Sequence, residues 1–420
     1  MSTRRGRPAW IRPGAVAALA VGVLGVAVPT QAVTTPPAPT PRTASTPTLP
    51  TPSGSVDPRV SIGGERLAAM GLVTDLPPGV PPPPALRDVS WLLADLDTGD
   101  VIAAKAAHAR MLPASTLKTL AALTLIPLVP AQRTIVPTQA DAAADGTRVG
   151  IVPGLPYTAK QLFEAMLMAS GNDATYALTE SAGGRAATLA AMNAHAAYLG
   201  AHDTVAKDPS GLDAPGETSS AYDLALIGRA ALALPQFRSY VITKRVAFPG
   251  NLDPKTKKRA TYTINSHNKL LYNYPGTIGV KNGYTVAAER TYISAVTRGG
   301  HTYLLTEMHG LDASWRPQAA MYDWAFRYAA RARPVGTLVA PGAVTTAPTV
   351  APSEGSAMVP GGLPAGVPRA AAAAVPSSEL LPRSVAPWVG LGGLAAALLL
   401  VALLASRAVR RPAPVPRHRR

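Results

Sequence analysis

Ser115-Thr116-Leu117-Lys118 sets a hydroxyl and an amine three residues apart at the head of an apolar run, with Ser170-Gly171-Asn172 and Lys281-Asn282-Gly283 downstream. A serine hydroxyl is a weak nucleophile at neutral pH and needs a base within hydrogen-bond reach. Residues three apart on a helix share a face, so a helix starting here stands Lys118 beside Ser115. Burying that helix start disfavours the charged lysine and frees a neutral amine, while the first-turn N–H groups point at a reacting carbonyl. The pattern reads as serine acyl transfer with a lysine base.

The motif alone is a weak signal. With 22 Ser and 10 Lys in 420 residues, independent placement yields roughly half an S-x-x-K by chance. The chain carries such a second copy, Ser266-His267-Asn268-Lys269, whose first three residues also match S-x-N. It precedes Tyr272-Asn273-Tyr274-Pro275-Gly276 rather than a long apolar helix, so it reads as a loop or strand approach, and context favours Ser115. His267 beside it reads as structural. There is no cysteine, which excludes a thiol nucleophile, a thiolate metal site and disulfides. The seven histidines form no H-E-x-x-H and no H-x-H pair, so neither a metal nor another cofactor is expected.

The elements that must position these groups follow from period and turn chemistry. Val89 to Leu96 and Val101 to Ala104 flank Asp97-Thr98-Gly99-Asp100 and predict a β-hairpin. Leu117, Leu120, Ala121, Leu123 and Leu125 predict a helix buried on most sides. Thr158 with Gln161 forms a capping box for a second helix that ends near Gly171, and a third begins around Thr218-Ser219-Ser220. Ile278 to Lys281, Thr291 to Val296 and His301 to Glu307 predict consecutive antiparallel strands, covered by an amphipathic helix over Trp315 to Tyr328. Strands at both ends with helices between them indicate an α+β domain.

Composition marks the boundaries. Arginines followed by the apolar stretch Gly14 to Val28 and by Pro29-Thr30-Gln31-Ala32 give residues 1–32 the layout of a secretory signal. Residues 33–84, with proline clusters up to Pro84, read as a Pro/Thr-rich spacer, residues 85–333 as the catalytic domain, and 334–384 as a low-complexity tether. Residues 385–405 are apolar and charge-free, long enough for a single transmembrane helix, and the arginines of 406–420 predict a basic cytoplasmic tail. The expected location is therefore the cell membrane, single-pass, with the domain extracytoplasmic. Ten arginines at the two termini account for most of the net charge of +16, leaving +6 between them. A basic stripe interleaved with aromatics is missing, and no nucleic-acid partner is expected.

Taken in order, the three motifs resemble those of the serine penicillin-binding enzymes and β-lactamases. Flanking segments narrow this. Trp91 to Gly99, Pro113-Ala114-Ser115-Thr116-Leu117-Lys118, Asp208-Pro209-Ser210-Gly211-Leu212, Asn268-Lys269-Leu270-Leu271 and Gly279 to Thr285 are similar to the D-alanyl-D-alanine carboxypeptidases, the low-molecular-mass penicillin-binding proteins. The resemblance spans Ala85 to Ala332 and implies a β-lactamase/DD-peptidase-like fold, an antiparallel sheet with a helical cluster. It implies that Ser115 is acylated by a peptidoglycan stem peptide, with Lys118 as base. Ser170 would relay a proton to the leaving amine, Asn172 would hold the substrate amide, and Lys281 would contact the terminal carboxylate. Backbone N–H groups of Ser115 and Tyr284 would form the oxyanion hole, and Gly283 would leave room for substrate. β-Lactam antibiotics would be covalent inhibitors.

One position departs from that pattern. Asn282 stands where a hydroxyl residue is usual, and Thr285 is the residue that could supply the missing hydroxyl, so altered substrate preference is expected. Glu217 lies where a class A β-lactamase places its deacylating glutamate, but Ala221 replaces the asparagine expected four residues on. Arg316 reads as a solvated helix-start arginine. The alternatives are a β-lactamase or peptidoglycan endopeptidase on the same fold, or a slow-turnover penicillin-binding protein.

Overall fold

The structure is a computed structural model that describes residues 56–347. The signal, most of the tether, the expected span at 385–405 and the basic tail lie outside the described residues. Among those described, no helix is long and apolar enough to cross a membrane.

The chain enters through β1 (Leu72–Thr74) and then forms the hairpin of β2 (Asp88–Asp95) and β3 (Asp100–Lys105). All eight residues of β2 are buried, including Trp91, Leu92 and Leu93, because the strand runs through the middle of the sheet with both faces covered. The Asp95 carboxylate accepts from the N–H groups of Asp97 and Thr98, and Gly99 takes a left-handed φ of 84°, which closes the turn. A 3-10 turn over Ala114–Leu117 leads into α1 (Lys118–Leu125), every residue of which is buried. Around α1 the chain adds β4 (Thr134–Ile135), α2 (Gln139–Ala142), β5 (Tyr157–Thr158), α3 (Ala159–Met168), α4 (Asn172–Ser181), α5 (Arg185–Leu199), α6 (Ala221–Ala233) and α7 (Pro235–Val241). Thr158 and Gln161 cap α3 reciprocally, and Ser220 caps α6 through the N–H of Asp223.

A second hairpin, β6 (Arg245–Leu252) with β7 (Arg259–Asn265), and the short α8 (Lys269–Asn273) return the chain to the sheet as β8 (Thr277–Thr285), β9 (Glu289–Arg298) and β10 (His301–Gly310). The helix α9 (Arg316–Tyr328) and β11 (Gly336–Thr337) finish the domain. The main sheet has seven strands in the order β1-β3-β2-β10-β9-β8, with β11 also on β3, all antiparallel. One face packs on the helical cluster through Leu92, Leu304 and Ile293, and the other on α9 through Trp91, Leu305 and Tyr322. This is the α+β arrangement that the order of elements implies. The strand β8 forms one edge, and the helical cluster lies beside it.

Both domain limits move outward from those that composition suggests. Within the stretch read as spacer, β1 pairs with β3, Leu67 is buried in the helical core, and the carbonyl of Pro81 accepts a 2.9 Å bond from Trp324 Nε1. Within the stretch read as tether, β11 pairs with the start of β3, Val335 and Leu338 are buried, and Tyr222 donates to the Thr337 carbonyl at 2.8 Å. Proline lacks an N–H but keeps its carbonyl, so a proline-rich segment can dock against a core without joining a ladder. Together β1 and β11 occupy the outer edge of β3 and protect it from further strand pairing. If the segment before Ala85 is integral to the fold, Leu67→Ala lowers unfolding free energy by about 2–5 kcal/mol, measured by urea titration; a true spacer would show no change.

Candidate active site

The nucleophile segment is held from three sides. Before it, Met111 bridges Ser219 through a pair of backbone bonds of 2.9 and 2.8 Å. The hydroxyls of Thr116 and Thr291 both donate to the Pro113 carbonyl, at 2.5 and 2.7 Å, tying the turn to β9. Ala114 takes a left-handed φ of 47°, a strained value for a residue with a Cβ, and swings the next residue out of line. Ser115 is therefore only half-buried, while its neighbours Ala114, Thr116 and Leu117 are buried.

Two glycines close on the same turn. A Cβ on Gly211 would lie 2.0 Å from the Ala114 carbonyl oxygen, and one on Gly283 would lie 2.7 Å from the Ser115 nitrogen and 2.4 Å from Thr291 Oγ1. Gly283 thus admits the backbone of the nucleophile itself, a tighter requirement than leaving room for substrate. Edge strand β8 is in this way brought directly against the turn that carries Ser115.

Lys118 is fully buried, and its Nζ makes three contacts: Ser115 Oγ at 2.9 Å, Asn172 Oδ1 at 2.6 Å and the Ser210 carbonyl at 2.6 Å. Burial, with a further push from the nearby charge of Lys281, holds its pKa well below the ordinary lysine range. A neutral amine has two N–H bonds and one lone pair. The Asn172 and Ser210 oxygens accept only and take the two hydrogens, which leaves the lone pair aimed at the Ser115 hydroxyl.

The opposite wall repeats the theme. Ser170 sits between α3 and α4 with φ of 61°, and its hydroxyl accepts from Lys281 Nζ at 3.1 Å. Lys281 is also buried, donates to the Asn282 carbonyl at 2.5 Å, and is pushed down to about 7 by desolvation. The Asn172 amide is largely committed. Its Oδ1 takes the Lys118 hydrogen and one Nδ2 hydrogen goes to the Asp145 carbonyl at 2.7 Å, so a single N–H remains for a ligand.

The remaining expectations divide. Ser115, Lys118, Ser170, Asn172, Lys281 and Gly283 come together around one cleft. The register pairs Lys281 with Ile293 and Gly283 with Thr291, whereas Asn282 pairs with Tyr292 and so faces the α9 side of the sheet, where it lines a cavity of about 110 Å³ with Asn268, Tyr292 and Trp315. Thr285 does not supply the missing hydroxyl. It donates to Asp213 Oδ1 at 2.8 Å and accepts from the Ala288 N–H. Tyr284 follows on the edge strand with its ring half-exposed beneath Arg290.

The second S-x-x-K is no functional pair. Ser266 Oγ accepts from the Asn268 N–H, Asn268 caps α8, and the exposed Lys269 amine is directed at the Ala313 carbonyl. His267 donates its backbone N–H to Met168, and partial desolvation with the Lys281 charge lowers its imidazole pKa. Arg316 is exposed and lies over the Trp315 ring. Sequence reasoning missed the Ser210 carbonyl, since a backbone acceptor leaves no trace in residue type. Among the described residues, the two His/Asp clusters that could hold a metal, Asp95 with Asp97 and His301, and His108 with Asp203 and Asp223, include no residue of this cleft. If the close fit at Gly283 sets the nucleophile, Gly283→Ala slows acylation by about 10²–10³-fold while the protein still unfolds cooperatively on heating.

Comparison with known proteins agrees with this geometry. The model of the D-alanyl-D-alanine carboxypeptidase family, peptidase S11, matches residues 79–310. A D-alanyl-D-alanine carboxypeptidase of Mycobacterium tuberculosis is 40% identical over 257 residues, covering 60% of this chain and 86% of the relative. The crystal structure of a D-alanyl-D-alanine carboxypeptidase from Mycobacterium tuberculosis superposes with a TM-score of 0.59 at 39% identity, covering 63% of this chain and 99% of that one. A mutant of Streptomyces K15 DD-transpeptidase gives 0.55 at 26% identity, over 58% of this chain and 99% of that one.

Proposed function

The chain belongs to the D-alanyl-D-alanine carboxypeptidase family and is a serine hydrolase of it, and we propose that it removes the terminal D-alanine from peptidoglycan stem peptides through an acyl-enzyme on Ser115. The observation that carries this reading is the coordination of Lys118. Its amine meets two pure acceptors and the Ser115 hydroxyl, the arrangement a neutral general base requires.

In the proposed sequence the substrate lies along the free edge of β8, with its scissile carbonyl against the backbone N–H groups of Ser115 and Tyr284. Lys118 takes the hydroxyl proton as Ser115 attacks, and the developing oxyanion is stabilised by those two N–H groups. The proton held by Lys118 passes by way of the Ser170 hydroxyl to the leaving amine, which returns Lys118 to its neutral form, while Lys281 keeps its own proton and orients Ser170 across the 3.1 Å contact. Lys281 also offers its charge to the terminal carboxylate. Water then attacks the acyl-enzyme, with Lys118 again as base. A β-lactam presents a strained amide to the same hydroxyl and is held as a slowly hydrolysed adduct.

The departure at Asn282 is assigned to substrate preference through what it removes: with its amide on the α9 side of the sheet and the Thr285 hydroxyl engaged by Asp213 and the Ala288 N–H, neither residue supplies a hydroxyl beside Lys281. The localisation proposed is an extracytoplasmic domain released from a signal at 1–32 and anchored by residues 385–405, with the arginine-rich tail in the cytoplasm. The apolar length and the positive-inside bias of the sequence support it.

The test is intact mass after exposure to benzylpenicillin, with peptide mapping, alongside release of free D-alanine from a stem pentapeptide. One drug equivalent on the Ser115 peptide, lost in Ser115→Ala, is the expected result. A folded protein that is labelled at Ser266, or not at all, overturns the assignment.

A further inference from the structure

Behind Lys118 lies a chain of contacts that ends on a carboxylate. The Ser210 carbonyl, one of the two acceptors of the lysine, belongs to the turn Asp208-Pro209-Ser210-Gly211. That turn is folded on itself by Asp208, whose Oδ1 accepts from the Ser210 N–H at 2.8 Å and from the Ser210 hydroxyl at 2.5 Å. Its entry is held by Glu217, whose Oε2 accepts from the Lys207 N–H at 3.1 Å and from the Asp208 N–H at 2.9 Å. Gly211 at its exit presses on the Ala114 carbonyl, so the same turn also abuts the nucleophile segment.

Glu217 is only 2% exposed, and its second oxygen, Oε1, is buried with no partner among the described residues. A buried carboxylate half satisfied is costly to keep, and a glutamine would satisfy the same two N–H groups without the charge. Stability alone does not explain the acid. What distinguishes it is its place: it holds the loop that holds the base.

Resting on the reading of Lys118 as general base, we propose that Glu217 is a positioning residue for it, acting through the 207–211 turn to fix the Ser210 carbonyl. The carboxylate form does this best, because its charge strengthens the two N–H bonds that converge on Oε2. Protonation weakens that grip and loosens the acceptor that aims the lysine lone pair. The charged groups facing Glu217 are the carboxylates of Asp208 and Asp213, with Lys118 farther in; burial and those two acids push Glu217 up to about 7. Its proton therefore exchanges near the pH at which the site must work, and acylation loses rate as pH falls through that range.

Two variants separate this role from a general structural one. Glu217→Gln keeps both acceptor contacts and removes the titration. We expect its penicillin acylation rate at high pH to fall toward the parent's low-pH rate and the acidic limb near pH 7 to disappear from its pH–rate profile. Glu217→Ala frees the turn, and its plateau rate is expected to fall at least tenfold with little change in the concentration giving half-maximal rate. A folded Glu217→Gln whose acidic limb coincides with the parent's overturns the proposal, as does a folded Glu217→Ala that acylates at the parental rate. If Glu217→Ala fails to fold, the Gln profile alone decides. Adduct mapping on each variant keeps the two readings apart: loss of labelling at Ser115 in the parent would remove the base assignment itself, whereas an unmoved limb with Ser115 still labelled removes only the role of Glu217.

Discussion

A lysine can act as a base near neutrality only if the fold makes its charged form expensive, and much of this cleft serves that condition. Lys118 lies on a helix whose every residue is buried, so its ammonium form would have to be desolvated. Burial alone would produce a neutral but undirected amine. The Asn172 and Ser210 oxygens add direction, because acceptors without hydrogens of their own dictate where the N–H bonds go and hence where the lone pair goes. These two oxygens come from different places, one at the head of α4 and one in the turn before α6. The base is thus oriented only when the helical cluster is assembled.

The same dependence explains where the backbone is strained. Among the described residues, positive φ at a non-glycine is uncommon, yet it occurs at Ala114 and Ser170, next to the nucleophile and at the hydroxyl on the opposite wall. Each stands at a break in the chain: one between the sheet and α1, one between α3 and α4. Left-handed backbone at these points costs of order 1–3 kcal/mol apiece, and the surroundings hold it in place through the Thr116 and Thr291 bonds to Pro113 and through the Lys281 contact with Ser170. Gly211 and Gly283 complete the clamp by allowing backbone to approach the turn more closely than any Cβ permits.

Much of this was legible in the sequence where side-chain type carries the information. The three motifs, the capping box at Thr158, the first hairpin and the three consecutive strands are functions of residue identity and period, and the structure places them as read. The parts that were not legible have physical reasons. The α5 helix is nearly half alanine with few large apolar residues, so its period is faint, and β6 with β7 forms a largely exposed hairpin buried only at Phe248, Gly250 and Ile264. Docking of the segments around Leu67 and Leu338 depends on a few anchor residues set in proline-rich or alanine-rich chain. The facing of Asn282 follows from strand register, which a motif string does not encode.

The two lysines of the cleft divide one task. Both are buried, and each lies in the field of the other, so both cannot hold a proton cheaply at the same pH. Their partners differ in kind. Lys118 touches two fixed acceptors and the one hydroxyl that must be deprotonated, whereas Lys281 touches a carbonyl and the Ser170 hydroxyl, with its pKa near 7. A proton kept on Lys281 therefore does double service: it makes the ammonium form of Lys118 still less favourable, and it faces the side of the cleft where a substrate carboxylate would arrive. Once such a carboxylate is bound, the charge on Lys281 is countered and its pKa rises. Binding of an anionic chain end and maintenance of a neutral base are then coupled through the same pair of amines. This gives a physical reason for a carboxypeptidase to place its second lysine on the edge strand, directly opposite the first.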